Sequence, residues 1–478
     1  MSTAPLWTSE AMRQAMRASP NGALPAAVTG LSIDSRTILP GEAYFAIKGD
    51  VHDGHDFVGA ALGAGAAFAV VATAQRQRFA ADAPLLLVDD VLEALRELAR
   101  ASRARLNAQV IAVTGSVGKT STKEALRGVL SAQGETHASV ASFNNHWGVP
   151  LSLARCPATV RFAVFEIGMN HAGEIEPLVK LVRPHVAIVT AVEPVHLEFF
   201  SGIEAIADAK AEIFAGVEPG GVALLNRDNS QFARLAASAG KRGIARVVAF
   251  GSDASSDARL LDLSLHANSS AVHANILGHD VTYKLGVPGR HMAMNSLAVL
   301  AAASLVGADL ALAALSLSQI APAAGRGVRS VLEVGNGEAN LIDESYNANP
   351  ASMAAAINVL GQAEIGPRGR RIAVLGDMLE LGPAGADLHR GLAEAINSNR
   401  IDLVYCCGPL MRNLWDALST GKRGGYAESS ASLEAQAISA IRAGDAIMVK
   451  GSLGSKMKAI VNALEKRFPG SAHNEAAG

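Results

Sequence analysis

Apolar runs of strand length recur along this chain, and each is followed by Gly, Asn or Asp and then by a helical pattern. They lie at residues 110–114, 162–167, 186–192, 222–226, 372–375, 403–405 and 446–449. Both faces of such strands are apolar, so both must be covered. That requirement points to a parallel sheet with helices on its two sides, and the alternation of strand and helix to an α/β architecture. A length of 478 residues suits about three units. With 49% hydrophobic and 18% charged residues, the chain has ample apolar surface for cores and is not disordered.

Charge and cysteine usage exclude several function classes. Lys plus Arg is 42 and Asp plus Glu is 44, a formal net charge of −2. This balance gives no electrostatic reason to expect nucleic acid or an anionic membrane as partner. The cysteines are Cys156, Cys406 and Cys407, too few for a disulfide scaffold and without zinc spacing. A reducing, cytoplasmic setting fits them. Residues 1–20 mix Glu10, Arg13 and Arg17 among short apolar residues and lack a signal peptide's continuous apolar stretch. Residues 296–317 approach the length of a membrane span, but Gly307 and Asp309 interrupt them and Ala and Ser dominate. They are expected to form two buried helices with a turn at 306–309, the second capped by Asp309.

The first 88 residues hold short strand-like pieces and Gly-rich turns, and a helical stretch from 89 to 106 leads into the next unit. A second boundary falls where Pro, Ala and Gly cluster at 321–327, followed by a hairpin at 331–342 turned at 335–337. The expected domains are therefore 1–88, 89–324 and 325–478.

The most specific local signal is Thr114-Gly115-Ser116-Val117-Gly118-Lys119-Thr120-Ser121, between an apolar strand and a helical stretch reaching residue 130. Backbone N–H groups in such a loop converge on phosphate oxygens, and the helix N-terminus adds partial positive charge. Lys119 is expected on the β- and γ-phosphates and the Thr120 hydroxyl on Mg²⁺. Val113 stands where the eight-residue form of this motif has its first Gly.

Further candidates flank this loop. Glu166 ends the next strand, where a carboxylate can hold Mg²⁺ or merely cap a helix. His196 follows a third strand and reads equally as a ligand or a core imidazole. Lys210 lies on a helical stretch where a solvated lysine is the ordinary reading. His52 and His55 read as loop residues. Near the C-terminus three polar turns follow successive strands, at 343–350, 377–382 and 450–456. Each alone is ordinary turn chemistry, but together they define the crevice where open α/β sheets bind ligands.

These residues together resemble the Mur ligases, the ATP-dependent amide-forming enzymes of peptidoglycan precursor synthesis. The resemblance runs through Ile33-Asp34-Ser35-Arg36, Gly49, the 53–57 run Asp-Gly-His-Asp-Phe and the phosphate loop. It continues through Phe143-Asn144-Asn145, Glu166-Ile-Gly-Met, His196-Leu-Glu and Ala209-Lys210-Ala-Glu212. The segments at 343–350 and 375–382 are similar to those of the member that adds D-alanyl-D-alanine to UDP-N-acetylmuramoyl-tripeptide. It implies a small N-terminal α/β domain holding the UDP-sugar and a central P-loop domain, mostly parallel, holding ATP. The C-terminal domain would be Rossmann-like α/β and would bind the amine donor.

Site roles follow by the same resemblance. Residues 114–121, Asn145, Asn295, Arg326 and Asp343 would contact ATP. Lys119 and Arg326 would offset charge on the γ-phosphate. Thr120 and Glu166 would bind one Mg²⁺ and His196 a second. Lys210 would be the lysine that related ligases carbamylate, turning it into a carboxylate able to reach Mg²⁺. Ser35, Arg36, Gly49, Tyr346, Asn347 and Asn349 would bind substrate. Met292 stands where the family has Asn, and Leu453 where many relatives have Asn or Arg. A monomer is expected. A sibling ligase adding a single amino acid, and a P-loop sensor that makes no bond, remain as other readings.

Overall fold

The computed structural model describes residues 5–140, 142–195 and 197–470. Its largest sheet has nine strands, and the strand Gln109–Thr114 lies between Phe162–Glu166 and Val186–Val189. These pairs are parallel, as are those running outward through Val222–Asn226 and Arg246–Gly251 to Ala258–Leu265. Only the last additions, Ser270–Ile276 and His279–Leu285, pair antiparallel. This extension lay outside the apolar runs read from the sequence, because its strands alternate buried with half-buried or exposed positions instead of running apolar throughout.

Alternation along Gln109–Thr114 explains the two-sided burial. Ile111 and Val113 enter one core with helices Lys119–Ser131 and Arg290–Leu305, while Val110 and Ala112 enter the other with Ile175–Val182 and Ile203–Ala211. The segment from 296 to 317 forms the two expected helices with the expected turn, but only the first is buried: in the second, Leu312 and Leu315 are 50% and 70% exposed. Helix Arg290–Leu305 ends before Gly307, and Asp309 caps Leu310–Ser316 by accepting from Leu312 N at 2.8 Å. No helix among the described residues is long and apolar enough to cross a membrane.

The second large sheet has six strands in the order 328–334, 337–344, 446–450, 371–376, 403–407, 423–427. Its first pair is the expected hairpin, Val328–Val334 with Gly337–Glu344, and the remaining pairs are parallel. Strands Gly337–Glu344, Ala446–Lys450 and Arg371–Gly376 are therefore side by side. Their C-terminal turns are the three polar turns of the sequence, brought to one edge by strand order.

A five-stranded sheet forms the N-terminal unit. There His55 is no simple loop residue. It is buried in the tight turn Gly54–Phe57, with Nδ1 2.6 Å from Asp53 Oδ1, and its Nε2 accepts from Ala72 N at 3.0 Å. Helix Val91–Arg105, capped by Asp90, joins this unit to the next. Leu95 and Leu98 enter the N-terminal core, Ala99 enters the central one, and Ser102 Oγ donates to Leu153 O at 2.7 Å. Trp7 adds a second tie. Its Nε1–H donates to Ala154 O at 2.8 Å, and the Arg105 guanidinium stacks 3.4 Å from its ring centroid. Trp7→Ala is expected to destabilise the protein by about 3 kcal/mol through the lost aromatic volume, read as an earlier urea midpoint; an unchanged midpoint would show that Trp7 does not tie the units.

Candidate active site

The loop after Gln109–Thr114 turns at Gly115 (φ 149°) and Gly118 (φ 83°), and neither position has room for a side chain. A Cβ on Gly115 would lie 2.0 Å from Thr190 Oγ1, and one on Gly118 2.8 Å from Asn295 Nδ2. Helix Lys119–Ser131 starts directly after Gly118 with no side chain bonded to its first N–H groups. Those donors are left to a ligand at the loop's mouth. Lys119 Nζ folds over the loop and donates to Gly115 O at 2.6 Å. Burial and the Arg326 guanidinium lower the Lys119 pKa, while Glu166 opposes the shift.

Segment 190–193 stitches this loop in place. Thr190 N donates to Thr114 O at 3.0 Å, Ser116 N to Ala191 O at 2.8 Å, and Thr190 Oγ1 to Val117 O at 2.5 Å. Ser116 Oγ donates to Glu193 O and accepts from Glu193 N, both at 3.0 Å. The Glu193 carboxyl faces the same space, and burial pushes its pKa up.

Two cavities meet here. One, about 340 Å³, lies over Val117, Gly118, Thr120 and Ser121 and reaches Asn295 and Met292. The other, about 330 Å³, is walled by Asn144 and Glu166 on one side and by Tyr346, Leu379–Leu381 and Ser452 on the other. Ser116, Lys119, Arg326, Asn347 and Asn349 line both. Arg326 is on the linker between the large sheets, its guanidinium 4.3 Å from the Tyr346 ring centroid. Leu453, 67% exposed, lies at the second cavity's rim.

Other expected residues lie elsewhere. Asn145 faces neither cavity: its Oδ1 accepts from Gly148 N at 2.9 Å at the start of helix Gly148–Ala154. Its neighbour Asn144 takes the site position and donates to Glu166 Oε1 at 2.7 Å. Asp343 is also turned away. Its Oδ1 accepts from Ser345 N and Oγ, and its Oδ2 pairs with Lys458 at 2.8 Å. Thr114 is buried with its hydroxyl unpartnered. Ser35, Arg36 and Gly49 line neither cavity; Arg36 pairs with Asp34 on the N-terminal unit. His196 lies outside the described residues.

Lys210, expected on a solvated face, is 2% exposed. Burial first, and then the nearby Lys119 ammonium, hold its pKa well below the usual lysine range. The reversal has a physical reason: helix Ile203–Ala211 packs Ile206 and Ala207 into the central core, and Lys210 shares that side. Thr190 and Asn144 escaped the sequence reading. Thr190 lay inside the apolar run 186–192, and its role appears only once its strand is set beside the loop strand.

Comparison with known proteins bears on this arrangement. Family models match at residues 27–103 (Mur ligase family, catalytic domain), 113–303 (Mur ligase middle domain) and 331–453 (Mur ligase, glutamate ligase domain). The UDP-N-acetylmuramoyl-tripeptide–D-alanyl-D-alanine ligase of Escherichia coli is 33% identical over 450 residues, 93% of this chain and 96% of that protein. The protein of the same name from Rickettsia prowazekii is 32% identical over 434 residues, 90% of this chain and 94% of that one. The chain belongs to the Mur ligase family. Crystal structures agree. MurF from Acinetobacter baumannii matches this Mur ligase with a TM-score of 0.82 at 28% identity, covering 98% of this chain and all (100%) of that one. MurF from Thermotoga maritima in complex with ADP gives 0.73 at 25% identity, over 92% of this chain and 98% of that one.

A divalent cation suits the residues present. Glu166 Oε2 is buried and has no partner, while Oε1 is held by Asn144. No group of three or more His, Cys, Asp or Glu able to cage a metal occurs among the described residues. This combination suits Mg²⁺, which takes one or two protein ligands and completes its shell with phosphate oxygens and water. In this Mur ligase, Gly118→Ala is expected to weaken nucleoside-triphosphate binding by about tenfold or more, because a methyl group meets Asn295 in a left-handed backbone; calorimetry giving unchanged affinity would contradict the loop's role.

Proposed function

We propose that this Mur ligase joins D-alanyl-D-alanine to UDP-N-acetylmuramoyl-tripeptide, using ATP and passing through an acyl phosphate. The observation that carries the reading is the common wall of the two cavities, where Lys119 and Arg326 face both. A triphosphate over the loop then presents its terminal group to the neighbouring cavity, which has room for a peptide carboxylate and an amine.

A carboxylate does not condense with an amine at neutral pH, so it must be activated. A carboxylate oxygen of the tripeptide attacks the γ-phosphorus, the bond to the bridging oxygen breaks, and ADP departs. The dipeptide amine then attacks the acyl carbon, a tetrahedral species forms, phosphate leaves and the amine gives up a proton. Lys119 and Arg326 offset the anionic charge of the transferring group. Loop amides fix the phosphates, and the three C-terminal turns close the second cavity against water, which protects the acyl phosphate from hydrolysis. Mg²⁺, when bound, draws charge from the phosphate oxygens, with Thr120 and Glu166 to hold one ion and His196 a second.

Lys210 fits the carbamylated position. Its depressed pKa favours the neutral amine that adds to CO₂ with loss of a proton, leaving a carboxylate beside Lys119. The UDP handle is assigned to the N-terminal unit through Ser35, Arg36 and Gly49; the Arg36 side chain is 85% exposed and pairs with Asp34, so it would have to share or leave that carboxylate to meet a phosphate. Substrates of this kind place the enzyme in the cytoplasm.

Phosphate release should require ATP, the UDP-tripeptide and the dipeptide together, with a new amide seen by mass spectrometry. ADP without an amide would indicate a nucleotide sensor, and a single amino acid replacing the dipeptide would indicate a sibling ligase. Lys119→Ala should lower turnover by roughly a thousandfold or more while the circular dichroism spectrum is kept.

A further inference from the structure

His389 is a fully buried imidazole that the reaction above does not use, and it lines neither cavity. It sits in helix Gly385–Ser398, one turn from its start. Its Nδ1 is 2.6 Å from Gly385 O, and its Nε2 is 2.9 Å from Met378 N. The two partners fix the protonation. A carbonyl only accepts, so Nδ1 carries the hydrogen; a backbone N–H only donates, so Nε2 must offer its lone pair. Burial holds the imidazole in this neutral form, against the opposing pull of the Gly385 carbonyl and the Asp377 carboxylate.

Met378 opens the turn whose next residues, Leu379, Glu380 and Leu381, wall the second cavity. Glu380 has φ 62°, the left-handed region that a non-glycine residue enters only at a steric cost. Such a conformation persists when its surroundings over-determine it. Glu198 N donates to Glu380 O at 3.4 Å, and further bonds hold the turn on its two flanks. Ser452 Oγ accepts from Leu379 N at 3.0 Å, and Ser452 N donates to Asp377 O at 3.0 Å. On the other side stands His389. The Asp377 carboxylate is turned inward, accepting from Met411 N at 2.8 Å and Leu410 N at 3.3 Å, so it braces the neighbouring loop instead of the cavity.

We propose that His389 is a positioning residue for the second substrate: through Met378 N its neutral imidazole fixes the 378–381 turn that shapes the cavity beside the phosphate loop. This rests on the ligase reading, in which that cavity takes the peptide acid and the amine donor. Both polar atoms of His389 are taken by backbone groups and the residue lines neither cavity, and the nucleotide cavity contains no residue of the turn. Its loss must therefore fall on peptide recognition and leave nucleotide binding alone.

Three variants test this by steady-state kinetics with ATP and dipeptide varied separately. His389→Gln keeps an acceptor at similar reach, and its dipeptide KM should stay within about twofold of wild type. His389→Asn is too short to reach Met378 N, and His389→Leu removes both bonds. Each of these should raise the dipeptide KM by roughly tenfold, the scale of a buried amide that loses its acceptor, with the ATP KM unchanged. If His389→Leu does not fold, the Gln and Asn pair still decides. An Asn variant with wild-type dipeptide KM, or with both KM values raised alike, would overturn the proposal. A wild-type enzyme that releases phosphate without dipeptide would instead overturn the ligase reading, so the two failures are separable.

Discussion

The structure depends on the bonds between the phosphate loop and segment 190–193. The loop cannot gather its amides on a phosphate unless its backbone is held open, and the chain contributes this from the neighbouring strand. Thr190 bonds to Thr114 and Val117 across the gap and Ser116 to Ala191 and Glu193, and the absence of a Cβ at Gly115 is what lets Thr190 approach so closely. A preset loop costs little reorganisation when charge develops on the transferred group. Glu166 reaches the same place because its strand flanks the loop strand on the other side, with Glu166 in register with Val113.

The opposite wall is made by strand order. Strands 337–344, 446–450 and 371–376 are neighbours, so three turns distant in sequence share one edge. Ser452 links them directly, bonding to Leu379 N and, at 3.3 Å, to Ala348 O. The linker joins this wall to the loop. Gly327 N donates to Asp343 O, Tyr346 N donates to Gly325 O, and Tyr346 carries the Arg326 guanidinium on its ring. The position of Arg326 is thus set by the C-terminal unit, so the site is complete only when that unit stands against the loop.

Much of this was legible in the residues. The doubly apolar strands, the hairpin at 328–344, the broken helix around Gly307 and the phosphate loop follow local rules of periodicity, turn chemistry and capping, and the structure follows them. What stayed hidden depends on pairing between distant segments. Asn144 and Asn145 are equivalent in sequence, and only the start of helix Gly148–Ala154 decides which amide caps it and which reaches Glu166. Asp343 has the look of a ligand, yet Ser345 and Lys458 occupy its oxygens. Lys210 reads as a surface lysine until its helix is laid on the core, and His389 carries no motif of its own.

In the proposed reaction the group leaving the nucleotide crosses the wall shared by the two cavities and lands on a peptide carboxylate. Oxygen-18 in that carboxylate reports the crossing directly, because the acyl phosphate leaves one labelled oxygen on the phosphate when the amide forms. Mass analysis of phosphate from a tripeptide substrate labelled at its carboxylates should find one heavy oxygen per turnover. Phosphate released at the same rate without label would mean that water, not the peptide acid, receives the phosphoryl group, and the account would be wrong.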